Sequence, residues 1–551
     1  MPELKDDIRL VVKHVALKRR AVEMRYLGMG IKAAWPHVSR ADLVSRIGGA
    51  LRRMGRKAPC IDGRSMRRLR AFVRVWVRSN IVPLPTGFFA ATYKERMEWW
   101  LERTHYPQSR KDELRRAYEE HKDLLDGDVK PREIYKYIRR VHGFIKDETY
   151  PDFKPPRGIY ARCDLAKIVF GPMIKAIEAC VYDVLSPDGY PYFVKHVPVS
   201  QRPQLVKSYL DVDGLEHAIT DYTSFETSFT ASVMRAVEFQ LYTFVMQHNP
   251  VMRPVLDLFK KVVSGRNIVD FDDFMFEVPA CRMSGEMNTS LGNGFTNLMV
   301  SLFLAEEKGT HLRILVEGDD GNSAWEPGMM PSAKDYERFG FIIKMAKVQT
   351  PYEGGFCGMN MDGDVLTNLP DPVKKIVGMG WTSGQGVFVG KTRALALLRA
   401  KAFSLLYEAP KAPICSVLAR KTLELTGDID FGFLYEKQGW LDEWGRDRLM
   451  EAVQRGVVHD VIDDRSRLAV ERIYGMPVQL QREIEGRIES MTVIGDLPIE
   501  DLIAPFVPIA ARTYYDNYVR TTDGMHYDEL SKIYDRDGRD IRSVYPCVEF
   551  D

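Results

Sequence analysis

Apolar positions along the chain change period several times, and each change marks an element. Residues 65–80 (SMRRLRAFVRVWVRSN) alternate apolar and arginine positions as a basic amphipathic element, and the run IVPLPTGF at 81–88 breaks it. Residues 90–142 carry helical periodicity in RMEWWLERTHY and KDELRRAYEEHKDLL, whereas 143–162 (GFIKDETYPDFKPPRGIYAR) is basic, proline-punctuated and extended. LAKIVFGPMIKAIEACVYDVL at 165–185 predicts helix on either side of Gly171-Pro172. LEHAITDYTSFETSF at 215–229 predicts a buried strand ending in polar residues, and 234–248 a helix. Short strands and turns are expected over 258–281, a helix over 294–309, and an apolar strand–acidic turn–strand hairpin over 311–325. From about 391 the pattern is mainly helical, and the last residues, rich in Pro, Tyr and Asp, lose periodicity.

A chain of 551 residues exceeds one ordinary core and should divide into several lobes. No apolar run reaches the roughly 18 residues of a membrane span, and the N-terminus lacks the apolar core of a signal peptide. The 7 cysteines are scattered, with no C-x-x-C pair, which fits a reducing compartment rather than a disulfide framework or zinc ribbon. The net charge of +2 conceals an asymmetry. Residues 1–80 hold roughly 20 Lys or Arg against roughly 6 acids, leaving the remainder near −12. Clusters such as Lys18-Arg19-Arg20, Arg52-Arg53, Arg56-Lys57 and Arg67-Arg68 point to a polyanionic partner.

Three segments carry the candidate chemistry: DYTSFETSF at 221–229, SGEMNTSLGN at 284–293 and EGDDGNS at 317–323. Nucleotidyl transfer sends a 3′-hydroxyl onto an α-phosphate while pyrophosphate leaves, and two divalent metals serve that in-line displacement. Their carboxylates must come from adjacent backbone segments; Asp221, at a strand end, and Asp319-Asp320, in a hairpin turn, meet that need. Asp and Gly are also ordinary turn residues, so the hairpin alone decides little. The order of all three segments points to a template-directed nucleotide polymerase.

That set resembles the RNA-dependent RNA polymerases of positive-strand RNA viruses, and is most similar to tombusvirus-like replicases. Asp221 with Glu226, then Ser284, Gly285, Thr289 and Asn293, then Gly318, Asp319 and Asp320 match the family's three palm motifs. The second acid of the first motif is Glu226 where the family usually has Asp; it is expected to sense the ribose 2′-hydroxyl together with Asn293. The segment FGFIIK at 339–344 offers Lys344 as the proton donor to departing pyrophosphate, with Lys347 as the alternative. GGFCGM at 354–359 is similar to the turn supporting the primer end, with Phe356 and Cys357, and Gly285 belongs to a template-contacting loop. Lys146, Lys154, Arg157 and Arg162 resemble the basic fingers segment that meets triphosphate oxygens, and PTGF at 85–88 the loop that admits template. A reverse transcriptase is the poorer match, because Gly318 precedes the acid pair and the Ser-Gly…Asn run is intact.

The resemblance implies an α+β right-hand fold of fingers, palm and thumb, with an antiparallel palm sheet and a helical thumb. Fingers would occupy 1–210 with an insert at 240–280, palm 211–239 and 281–390, thumb and tail 391–551. It also implies two Mg²⁺ or Mn²⁺ ions, NTPs, and single-stranded RNA template with nascent RNA. A viral auxiliary protein would hold the enzyme at membrane-associated replication complexes in the host cytoplasm. Residues 500–551 read first as an ordinary terminal extension, an initiation platform reaching back to the channel being the alternative.

Overall fold

A computed structural model of the chain describes residues 3–13, 24–37, 43–126, 131–146, 148–152, 154–437, 440–441, 443–457 and 460–518. The cluster Lys18-Arg19-Arg20 and the tail after Tyr518 lie outside the described residues. The described strands are β1 (Arg9–Val12), β2 (Met24–Tyr26), β3 (Arg140–Ile145), β4 (Gly158–Arg162), β5 (Glu216–Tyr222), β6 (Asn267–Asp270) and β7 (Phe274–Val278). They continue with β8 (Leu312–Glu317), β9 (Asp320–Trp325), β10 (Ile343–Val348), β11 (Asn360–Asp362), β12 (Thr367–Leu369) and β13 (Trp381–Ser383). Helices fill most of the remainder, so the fold is α+β.

The central sheet has the order β10-β5-β9-β8 and is antiparallel throughout. Its side chains alternate between two cores, as the period of a strand requires. Tyr222, Ile314, Val316 and Trp325 join a large helical core on one face. Ile219, Leu315 and Ala324 meet Val194, Val206, Tyr209 and Phe356 on the other. The helix Thr289–Lys308 belongs to the first core, burying Leu291, Phe295, Leu298 and Phe303 there. A second sheet, β1-β7-β6-β3-β4, is antiparallel except where β3 runs parallel to β6.

The hairpin expected at 311–325 is present as β8 and β9, joined by Gly318-Asp319. Gly318 has φ 60°, a left-handed conformation that a two-residue hairpin loop demands and that glycine adopts without strain. Other elements differ in detail. The helix Asp164–Val181 continues through Pro172, and Gly171 leaves no space for a side chain, since a Cβ there would sit 2.6 Å from Trp100. The helix expected over 234–248 is two, Ala231–Ala236 and Glu238–Val245, parted at Val237, whose ψ of −86° is not helical. Residues 253–263 are helical rather than strand and turn, and 500–518 form short helices docked through Ile503, Val507 and Ala511.

A separate apolar core holds the C-terminal helices Lys391–Glu408, Cys415–Thr426, Asp464–Tyr474 and Val478–Glu489. Leu27, Met29, Ile31 and Trp35 are buried in that same core, and β2 pairs with β13. Residues 24–37, expected among the fingers, therefore pack with the C-terminal region.

Candidate active site

The strand register sets four charged residues in one transverse row. Lys344 lies opposite Asp221, and Glu317 opposite Asp320. The pair Thr220–Gly321 closes the β5–β9 ladder, and the next residues beyond it are Asp221 and Asp320. Directly opposed residues of an antiparallel sheet project from one face, so Lys344, Asp221, Asp320 and Glu317 share a face at the sheet's end. Lys347, three positions further along β10, projects from the other face, where its ammonium meets Glu216 at 2.6 Å. Lys344 is exposed beside Asp221.

Burial and neighbouring negative charge raise the proton affinities of Asp319 and Asp320. Burial first, then Asp319 and Asp221, push the Asp320 carboxyl up to about 7. Asp319 is also raised, by burial and then by Glu226, with Arg53 opposing. Among the described residues, no group of three His, Cys, Asp or Glu side chains is gathered tightly enough to hold a metal ion as it stands. The carboxylates nevertheless suit divalent cations in chemistry: they are oxygen donors from two adjoining strands, at a site where excess negative charge is poorly screened.

The hairpin is fixed from behind by a residue that sequence inspection missed. Asn297 Nδ2 donates to the Gly318 and Asp320 carbonyls at 3.4 and 3.1 Å, and Tyr222 Oη donates to Asn297 Oδ1 at 3.3 Å. The signal was available: Thr289, Asn293 and Asn297 recur every fourth position on a mostly buried helix, a polar stripe that reaches the hairpin through Asn297.

The Ser-Gly loop behaves as an extra strand on β4. Gly285 N–H donates to the Tyr160 carbonyl at 2.9 Å, and a Cβ at 285 would stand 2.9 Å from that oxygen, so only glycine allows this approach. Ser284 Oγ donates to the Gly158 carbonyl and accepts from Tyr160 N–H. Thr289 Oγ1 closes the loop by donating to the Met283 carbonyl at 2.9 Å. Asn293 Oδ1 accepts from Arg282 Nε at 3.2 Å, and Arg282 is itself buried against Glu238 at 2.8 Å. Gly292 is required here too, since a Cβ would lie 2.4 Å from Arg282 Nη2.

Glu226 is buried and held by a cation the motifs do not contain. Arg53, at the end of the helix Leu43–Met54, donates to Glu226 Oε1 from Nε at 3.0 Å and from Nη2 at 2.5 Å. Glu226 Oε2 is buried with no hydrogen-bond partner. Glu226 and Asn293, expected to act together, share no hydrogen bond: Glu226 Oε1 accepts from Arg53, its Oε2 has no partner, and Asn293 Oδ1 accepts from Arg282. Arg53 appears in the sequence only as part of a basic cluster, with nothing to mark it as the partner of an acid 173 residues away.

The expected phosphate-binding cations divide. Lys146 and Arg157 gather around Glu148 at 3.4 and 3.5 Å, and the Lys154 ammonium lies over the Tyr150 ring at 3.8 Å. Lys154 and Arg157 are exposed, and burial, then Arg157, lower the Lys154 pKa. Arg162 does not fit the expectation. It is 5% exposed, paired with Glu286 at 2.5 Å, and donates also to Asn267 and to the Ile138 and Arg139 carbonyls. It alternates inward on β4, where its guanidinium ties β4 to its neighbours and has no donors left for a substrate.

The primer-support expectation is altered similarly. Phe356 is 2% exposed in the core beneath the sheet, so its side chain anchors the turn and cannot touch a primer. Cys357 Sγ lies 3.7 Å from Glu317 Oε2, which also pairs with Arg202 at 2.8 Å. Burial and then Glu317 push the Cys357 thiol upward.

A family model described as "Viral RNA dependent RNA polymerase" matches residues 236–353. The match contains the Ser-Gly…Asn loop, the Gly-Asp-Asp hairpin and Lys344, while Asp221, Glu226 and the cations at 146–162 lie before it. It supports a viral RNA-dependent RNA polymerase, and with it RNA-directed nucleotidyl transfer using an RNA template and NTPs. No curated protein matches the chain.

Proposed function

We propose that this protein copies viral RNA by two-metal nucleotidyl transfer from NTPs to an RNA 3′-hydroxyl, as a right-hand polymerase of tombusvirus-like type. The observation that carries this reading is the cross-sheet row Lys344–Asp221–Asp320–Glu317, with Asp319 at the turn beside it. In the right-hand arrangement the central sheet is palm, residues before about 210 and the insert at 240–280 are mainly fingers, and the C-terminal helices are thumb. Residues 24–37 go with the thumb rather than the fingers, because their apolar side chains lie in its core.

Asp221 and Asp319 would hold two Mg²⁺ or Mn²⁺ ions, with Asp320 assisting. When bound, such ions lower the pKa of the attacking hydroxyl and neutralise the triphosphate. Lys146, Lys154 and Arg157 hold triphosphate oxygens, Arg157 offering a planar pair of donors and the lysines point charges. Lys344, exposed beside Asp221, donates a proton to the departing pyrophosphate. Asn297 keeps the acidic turn in position, so the carboxylates need little rearrangement when charge develops. Glu226 Oε2, buried and unpartnered, accepts the ribose 2′-hydroxyl, and Arg53 sets its direction. Ser284, Gly285 and Thr289 shape the loop beside template and nucleotide, and Cys357 with the turn around Phe356 supports the primer end.

Among the described residues no helix is long and apolar enough to cross a membrane. Attachment to replication membranes would come through a viral auxiliary protein.

The test is RNA synthesis on a single-stranded template with four NTPs and Mg²⁺ or Mn²⁺, with and without primer, beside Asp319→Ala. Template-dependent product from the parent alone is expected. Equal product from both proteins would overturn the reading.

A further inference from the structure

The helix Gly63–Asn80 carries Arg64, Arg67, Arg68, Arg70, Arg74 and Arg78 and no acidic residue. Its apolar stripe, Met66, Leu69, Val73 and Val77, is buried in the large helical core. Asp62 caps the N-terminus, accepting from Arg64 and Ser65 N–H at 3.2 and 2.8 Å. All six arginines are exposed. Arg68 pairs with Glu307 at 2.7 Å; among the described residues Arg64, Arg67, Arg70, Arg74 and Arg78 form no ion pair. Cations three and four residues apart on a helix repel each other, so this face is disfavoured unless an anion lies along it.

Contacts with the helix Thr289–Lys308 fix the direction of the row. Arg68 meets Glu307, Phe72 meets Phe303 with ring centroids 5.5 Å apart, and Trp76 meets Phe295 at 6.0 Å. The two helices therefore run antiparallel, and the arginine row ends towards the half of Thr289–Lys308 that carries Asn293 and Asn297. Immediately after it comes the loop at 81–88. Asn249 Nδ2 pins that loop by donating to the Leu84 and Pro85 carbonyls at 3.3 and 3.1 Å. Val82 and Phe88 in the loop are 80% and 37% exposed.

We propose that the exposed arginines of Gly63–Asn80 form a track for single-stranded template RNA on its way to the loop at 81–88, outside the catalytic cleft. This inference rests on the polymerase reading above. Arg70, Arg74 and Arg78 stand about 6 Å apart along the helix axis, comparable with the spacing of phosphates along a strand. Every cation of the helix is arginine, whose planar fork grips phosphate with two donors. An anionic membrane fits less well. Phe72 and Trp76 are committed to ring contacts with the neighbouring helix, leaving Val75 as the helix's exposed large apolar residue, too little to anchor it in lipid.

The test uses the full chain and an Arg70→Gln/Arg74→Gln/Arg78→Gln variant, with Arg74→Gln alone as a milder companion. Both are checked for an unchanged melting temperature. Binding of primer–template RNA with a short or a long unpaired 5′ template overhang is measured against salt concentration. For the long overhang, the triple variant should lose about tenfold in affinity, with a salt slope shallower by about 2, and Arg74→Gln about a third of that. Short-overhang binding and extension should be unchanged; their absence in the parent would instead refute the polymerase reading. An unchanged long-overhang slope overturns the track, as does loss of adsorption to phosphatidylserine vesicles with RNA binding intact.

Discussion

The carboxylates and the cations of the candidate site are held by different kinds of backbone. Asp221, Asp320 and Glu317 occupy strands in register, so the position of one dictates the others. Lys146, Lys154 and Arg157 sit on or beside the β3–β4 connection, and Arg53 arrives from a helix near the N-terminus. Ladder hydrogen bonds fix those acids, whereas Lys146, Lys154, Arg157 and Arg53 are fixed by whichever acid or ring each meets. The acids are consequently crowded and charge-strained, while the cations are paired among Glu148, Glu226 and Tyr150.

The largest effect expected from breaking this contrast is at the acids. Asp319→Ala should lower synthesis by about a thousandfold or more while RNA affinity stays within about twofold, measured by primer extension and binding. Comparable loss of both would indicate misfolding instead.

Next comes Lys344, which the β5–β10 ladder sets opposite Asp221. Lys344→Leu should reduce kcat by about a hundredfold, and Lys347→Ala should leave it unchanged. Equal losses would contradict the opposite-face assignment.

Arg157 and Arg162 sharpen the comparison among the cations. Arg157→Ala should raise the KM for NTPs by about tenfold with an unchanged melting temperature. Arg162→Ala strips the close guanidinium from buried Glu286, leaving it Arg282 at 3.9 Å and the Met283 N–H, and should destabilise the fold by about 3 kcal/mol, read by denaturant unfolding. In Arg53→Gln, Glu226 loses its partner; NTP-over-dNTP preference should fall with a stability loss. Adding Glu226→Gln should restore stability but not preference.

The smallest effect is a pH signature. The Asp320 carboxyl has its folded pKa raised to about 7, so its protonated form is favoured by folding. That contribution is complete below the unfolded value near 4 and is lost as pH rises through about 7. Metal-free Asp320→Asn should therefore melt above the parent at pH 8, with the difference vanishing near pH 4. Mg²⁺ should narrow the difference at pH 8 by offsetting the parent's negative charge.

How far the sequence could be read follows from the same contrast. The hairpin, strand β5 and the Ser-Gly…Asn helix are local, and their side-chain period and turn residues are visible in order. Arg162 matched its motif by residue type, but its inward position on β4 depends on Glu286 and Asn267, 124 and 105 residues away. Arg53 was hidden for the converse reason: in the chain it is one arginine among many, and only packing of its helix against Phe225–Ser228 gives it a partner. Residues 24–37 show the same effect in the core. Nothing local marks Met29 or Trp35 as belonging with helices beyond 391.

The threading of residues 24–37 into that C-terminal core has a consequence for how the protein is made. Trp381 Nε1 donates to the Ala33 carbonyl, 348 residues upstream, and Met29, Ala34 and Gly30 exchange backbone bonds with Gly495, Ala511 and Leu497. On a ribosome, the early segment waits about half a minute for its partners. Until then Met29, Ile31 and Trp35 have no core to enter, so a chain released before about residue 500 exposes an apolar strip. Synthesis past about residue 511, rather than any local folding step, is then the event that lets this lobe close.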